Sequence, residues 1–320
     1  MVSGKQMDRP MDRPMDRRMD RRTVLAMLGA AGVSLAGLGA ASAASDMLLK
    51  RIPSSGEAIP TIGLGSWITF NVGNDPVGLE ASQKVIAAFL EAGGRMIDSS
   101  PMYGSSQATI GQALTALGAP PSLMATDKVW INGARQGRAQ VQASLKNWGV
   151  LRFSLLQVHN LRDWQAHLPV LFEMKAAGAI DYVGVTTSHG RRHRELAAIL
   201  ENQPLDFVQL TYNMTNREAE DRILPLARER GIGVIVNRPF DGGRLIRAVK
   251  RHPFPAWAKA EGFKGWADYL LKFNVSHPAV VCAIPATTQV AHVRENMAAS
   301  KGRLPDATLR ARMAAYVKDL

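Results

Sequence analysis

Eight short apolar runs recur along the chain at fairly even intervals, separated by amphipathic stretches, and this alternation limits the possible folds more than any other feature. The runs are TIGLGSW (61–67), RMIDSS (95–100), LMATDKV (123–129), SLLQVHN (154–160), YVGVTTS (182–188), FVQLTYN (207–213), GVIVNRP (233–239) and VVCAIPA (280–286). Between them apolar residues return at helical spacing, as in Ile223, Leu224 and Ala227 set against Arg222, Arg228 and Glu229. One helix is expected across 217–231, and several helices close on glycine, at Gly118, Gly149, Gly178 and Gly231, as left-handed caps require. Strand–helix units repeated eight times predict an α/β fold of the closed (β/α)8 TIM-barrel type. LLKRIPSSGEAIP (48–60) reads as an N-terminal β-hairpin closing the barrel bottom, and 303–320 as an extra C-terminal helix. An open doubly wound sheet would carry a GxGxxG turn after its first strand, whereas Gly63-Leu64-Gly65 is only a fragment of one.

Chain length and a 46% hydrophobic content suffice for a large core. The formal charge of +12 raises nucleic-acid binding as an option. The basic residues are scattered, however, and no aromatic–basic strip or zinc-ligand pattern accompanies them, so no nucleic-acid partner and no metal are expected. Cys282, the one cysteine, lies in an apolar run and reads as packing.

Residues 1–43 read as an address. MDRP, MDRP, MDRR, MDRR precede an Ala/Gly-rich apolar stretch, and Ala41-Ser42-Ala43 supplies a small-x-small cleavage site. DRRTVLA, with Arg21-Arg22 just ahead of the apolar stretch, resembles a twin-arginine signal. The expectation is export to the periplasm through the twin-arginine machinery, with no stable membrane insertion after cleavage; an uncleaved anchor is the alternative. The remaining domain, 44–320, keeps a charge of about +9 and is expected to be a monomer.

Four polar residues stand at or just past the ends of the second, third and fourth runs: Asp98, Tyr103, Lys128 and His159. In a parallel barrel all strand ends share one face, so an acid, a phenol, an amine and an imidazole converge on one pocket suited to proton transfer. MIDSSPMYGSS, DKVW and QVHN together resemble the signature regions of the aldo-keto reductase superfamily, over nearly all of 48–300. That resemblance implies a (β/α)8 barrel reducing an aldehyde or ketone with NADP(H), or with NAD(H). Tyr103 takes the place of the proton donor. Lys128 is expected to lower the phenol's pKa, Asp98 to pair with Lys128, and His159 to bond the substrate carbonyl.

For the cofactor, the resemblance points to Ser188, Gln209, Asn237, Arg238, Pro285, Thr287, His292, Glu295 and Asn296. Gln209 matches the residue that holds the nicotinamide carboxamide, Arg238 is a candidate for the pyrophosphate, and Glu295-Asn296 resemble adenine contacts. Asn237 stands where many members stack an aromatic residue. His189 replaces a common asparagine, and Ala286 and His292 replace basic residues that many relatives use for the 2′-phosphate. Gln107 replaces a common glutamate. Trp67, Phe70, Trp130, Asn160 and Trp164, at strand ends, are candidates for a substrate pocket with apolar walls. A non-catalytic nicotinamide-binding barrel, serving as redox sensor or partner subunit, is the second reading; the intact four-residue set argues against it.

Overall fold

In a computed structural model that describes residues 47–320, eight parallel strands follow one another in chain order around a barrel. A hairpin comes first, β1 (Leu49–Arg51) and β2 (Ala58–Pro60), paired antiparallel. The barrel strands are β3 (Leu64–Gly65), β4 (Met96–Asp98), β5 (Met124–Val129), β6 (Phe153–Val158), β7 (Ile180–Thr186), β8 (Phe207–Thr211), β9 (Gly233–Asn237) and β10 (Val280–Ala283). Parallel bridges Ile62–Ala283 and Gly65–Ala286 close the ring, and the Gly63 and Gly65 N–H groups donate to the Ala283 and Pro285 carbonyls at 2.9 and 3.1 Å.

Strand alternation sorts the chain into two environments. Outward positions such as Ile97, Ala125, Leu156, Val183, Val208 and Val234 join the large cluster between strands and helices. Their neighbours Met96, Met124, Leu155, Tyr182 and Phe207 point inward and form a second cluster with Ile52 and Ile59 of the hairpin. Two residues further along each strand the inward positions turn polar: Asp98, Thr126, Gln157 and Gln209. One barrel interior thus has an apolar floor and a polar upper layer. Gly184 completes that layer, because a Cβ there would lie 2.8 Å from the Phe207 carbonyl oxygen and 3.1 Å from Gln157 Cγ.

The hairpin is tied to the floor by polar contacts as well. Tyr182 donates its hydroxyl to Glu57 Oε2 at 2.7 Å and lies 2.8 Å from Ser55 Oγ, while Arg95 bridges Glu57 at 2.8 Å. Helices follow the strands on the outside, and Gly118, Gly149, Gly178 and Gly231 all take positive φ at their ends. The helix Ala307–Lys318 follows the last unit. Its Arg310 donates to Tyr212 OH at 2.5 Å and to Ser276 Oγ at 2.6 Å.

Two helical details differ from expectation. The stretch 217–231 is a 3-10 turn, Glu218–Glu220, followed by the helix Ile223–Glu229, whose first turn accommodates Pro225. Short helices Arg244–Val249 and Ala256–Ala260 occur where none was expected; Gly242 and Gly243 at positive φ, and Pro253 and Pro255, interrupt the apolar period there. Among the described residues no helix is long and apolar enough to cross a membrane. The export segment expected over 1–43 lies outside the described residues.

Candidate active site

The C-terminal ends of β4, β5 and β6 bring the four residues together. Lys128 Nζ donates to Asp98 Oδ2 at 2.5 Å and to the Ser99 carbonyl at 2.8 Å, and the pair is almost fully buried. Asp98 Oδ1 accepts from Thr126 Oγ1 at 2.9 Å, Gln209 Nε2 at 3.1 Å and Gln157 Nε2 at 3.3 Å. Both oxygens therefore have donors, which a buried carboxylate requires. The ammonium lies 5.2 Å from the centre of the Tyr103 ring, which meets His159 edge-on at 5.6 Å. His159 Nδ1 is 2.8 Å from Ser100 Oγ.

Burial and charge pull these groups in different directions. Burial alone disfavours the Lys128 ammonium, but the charge and hydrogen bond of Asp98 lead the effects that outweigh it, and its pKa lies above the usual value. Burial drives His159 well below the usual imidazole value, and the Lys128 charge pushes the same way, so the ring is neutral. Tyr103 corrects an expectation. Burial raises its pKa, and the opposing pull of Lys128 does not overcome it, so the phenol keeps its proton at neutral pH.

Above Tyr103 opens a cavity of about 660 Å³, the size of a small-molecule site. Tyr103, Asp98, His159, Asn160, Ser188, Gln209, Asn237 and Arg238 line it, as do Pro285, Thr287, His292, Glu295, Asn296 and Trp67. Three proposed pocket aromatics are not among its walls. Phe70 is fully buried in the outer core, because the turn after β3 folds it under the neighbouring helices. Trp130 lies beneath the Arg162 guanidinium at 4.9 Å, and Trp164 Nε1 donates to Glu195 Oε1 at 3.2 Å. In their place the cavity has Met102, Phe240 and Ile68, the last held at φ 66° and 64% exposed.

Several expected cofactor contacts are already engaged. Asn237 donates to the Thr187 carbonyl at 2.9 Å and accepts from Thr211 Oγ1 at 2.7 Å. Gln209 spends its NH2 group on Asp98. Ser188 donates to Asn160 Oδ1 at 3.3 Å, and Thr287 Oγ1 is 3.3 Å from His292 Nδ1.

A nicotinamide dinucleotide needs amide-rich surroundings at one end and positive charge for its phosphates. The first requirement is met by Asn160, Gln209 and Asn237 close to Tyr103. For the second, Arg191, Arg238, Arg247 and Lys250 line the cavity; Arg191, Arg247 and Lys250 pair with no acid among the described residues. Arg238 Nε is buried without a partner there, an orphaned donor of the kind that awaits an anion. Gly242 and Gly243 keep the passage open, since a Cβ would meet Arg238 Nη2 at 2.9 Å and Arg247 Nη1 at 2.6 Å respectively. The residues fit such a group.

Sequence reasoning missed Thr126, Gln157 and the cations Arg191, Arg247 and Lys250. The first two carried a signal, standing two residues before Lys128 and His159 and so on the same strand face. The cations sit in or beside short helices with no strand pattern to mark them.

Comparison with known proteins places this architecture in a known group. A family profile described as Aldo/keto reductase family matches residues 61–315. The NADH-specific methylglyoxal reductase of Escherichia coli (strain K12) is 27% identical, over 81% of this chain and 96% of that protein. Methylglyoxal reductase YeaE of the same organism is 27% identical, over 82% of this chain and 93% of that protein. A crystal structure of an aldo-keto reductase from Klebsiella pneumoniae in complex with NADPH shares the fold, with a TM-score of 0.72 at 22% identity over 85% of this chain and 95% of that one. The chain belongs to the aldo/keto reductase family.

Proposed function

We propose that the chain is an exported reductase that converts an aldehyde or ketone to an alcohol with NADP(H), NAD(H) being the alternative nucleotide, and that Tyr103 supplies the proton. One observation carries the reading: a phenol that keeps its proton sits over a buried ammonium–carboxylate pair at the floor of a cavity whose outer part is cationic.

When bound, the reduced nicotinamide supplies the hydride that reaches the carbonyl carbon. Tyr103 delivers its proton to the carbonyl oxygen as negative charge develops there. Lys128 stabilises the phenolate that remains, and Asp98 keeps Lys128 charged. His159, neutral and lining the cavity, orients the carbonyl oxygen. Gln157, Thr126 and Gln209 hold Asp98 in place. The methylglyoxal reductases among its relatives make small dicarbonyls the first substrates to assay.

Purified protein supplied with NADPH should turn over at least one member of a broad panel of aldehydes, ketones and quinones. Binding without turnover across that panel would sink the enzyme reading. Tyr103→Phe should lose about 10²-fold or more in kcat, the range of a lost general acid, with nucleotide affinity unchanged; an equally active variant would remove Tyr103 from its role.

A further inference from the structure

Ser100 is neither one of the four proton-transfer residues nor a wall of the cavity, yet it is fully buried against His159. Its hydroxyl offers one proton and two lone pairs. The Met102 N–H donates to Ser100 Oγ at 3.2 Å and occupies one lone pair. The remaining partner is His159 Nδ1 at 2.8 Å, and among the described residues no acceptor other than that nitrogen lies within reach of the hydroxyl proton. If Nδ1 carried a hydrogen and donated to Ser100, the serine proton would be buried without a partner, which folded proteins avoid. The economical arrangement has Ser100 donating to Nδ1.

We propose that Ser100 is a positioning residue that fixes the neutral ring of His159 in the tautomer protonated on Nε2. A neutral imidazole has a single N–H, and an acceptor nitrogen facing the carbonyl oxygen would repel it rather than bind it. No described residue bonds Nε2, and His159 lines the cavity, so the ring's one donor is aimed at the site where the reacting oxygen arrives. The ring also meets Tyr103 edge-on, so packing as well as the Ser100 contact holds it in place. Asp98 and Ser100 are two residues apart, so one strand end anchors the carboxylate under Lys128 and the hydroxyl behind His159.

The catalytic consequence rests on the function proposed above; the tautomer itself does not. Nitrogen-15 spectra of histidine-labelled protein, with the His159 signals assigned by their loss in His159→Asn, read the tautomer directly without any turnover. The wild-type ring should show an unprotonated, hydrogen-bonded Nδ1 and a protonated Nε2. Ser100→Ala should give a mixture of tautomers and lower kcat about tenfold, a modest share of general acid–base rate effects, with nucleotide affinity unchanged. Ser100→Thr should restore both. A wild-type ring protonated on Nδ1, or a Ser100→Ala ring with an unchanged tautomer, overturns the proposal even if the protein is an active reductase. The expected spectra from a protein that reduces nothing would keep the tautomer assignment and sink only the enzyme reading. A Ser100→Ala variant too unstable to purify leaves the wild-type spectrum to decide.

Discussion

At the scale of single residues the site is organised around a charge pair that water does not reach. Lys128 is 1% and Asp98 2% exposed, and the Asp98 carboxylate holds the Lys128 ammonium charged. Replacing Lys128 with Met should cost about 3–5 kcal/mol, as expected when one partner of a buried pair is removed. The loss should appear as a lower urea midpoint at neutral pH; an unchanged midpoint would mean that Asp98 is not left with a buried, unpaired charge. The four polar residues could be read in the chain because each ends or follows an apolar run. Thr126 and Gln157, their equal partners, were overlooked because threonine and glutamine inside strands look like ordinary strand residues. Their meaning emerges only when the barrel brings four strands to one carboxylate. The Tyr103 pKa went against expectation for a related reason: a charge partner is visible in a sequence, whereas the depth of burial is not.

At the scale of elements, strand period separates two chemistries one residue apart. Lys128 points into the barrel, and Asp127 points out beneath the helices Ser106–Leu117 and Ala134–Trp148. The Asp127 carboxylate accepts from Gln107 Nε2 at 2.7 Å, Trp148 Nε1 at 2.6 Å and the Lys128 N–H at 2.6 Å. This explains Gln107: a glutamate there would set two carboxylates within hydrogen-bond distance in a dry interface. Burial still pushes Asp127 up to about 7. A carboxyl whose folded pKa is raised contributes stability at low pH that is lost as pH rises through the folded value. Wild-type stability should therefore decline, relative to Asp127→Asn, as pH rises from about 4 to about 7; matching pH profiles for the two proteins would refute the assignment. The order of strands was legible because period-two patterning is local. The two short helices after β9 were not, since their glycines and prolines break the apolar period while the tertiary fold still supports a few helical turns.

At the scale of the whole molecule, the N-terminal 43 residues and the barrel raise separate questions. We read the former as an export address, and the test is cellular. Arg21→Lys together with Arg22→Lys, in the full chain, should shift the protein from the periplasmic to the cytoplasmic fraction in a bacterium with a twin-arginine pathway. An unchanged distribution would remove that route. Export also bears on supply, because a reductase outside the cytoplasm must be provided with reduced nucleotide. We expect the nucleotide to be loaded before export and released slowly, so that protein recovered from the periplasm carries it.

The β1–β2 hairpin has a kinetic corollary. With Ile52 and Ile59 packed into the barrel floor and Tyr182, Glu57 and Arg95 laced across it, that end is stoppered. The barrel is a cul-de-sac, and anything that meets over Tyr103 arrives and departs through the same doorway. The hairpin reinforces a floor that the inward side chains of the strands already fill, so the polar layer above it faces a single opening. A cofactor and a substrate that meet over Tyr103 would therefore share one opening, and product-inhibition patterns would show whether they enter and leave in a fixed order.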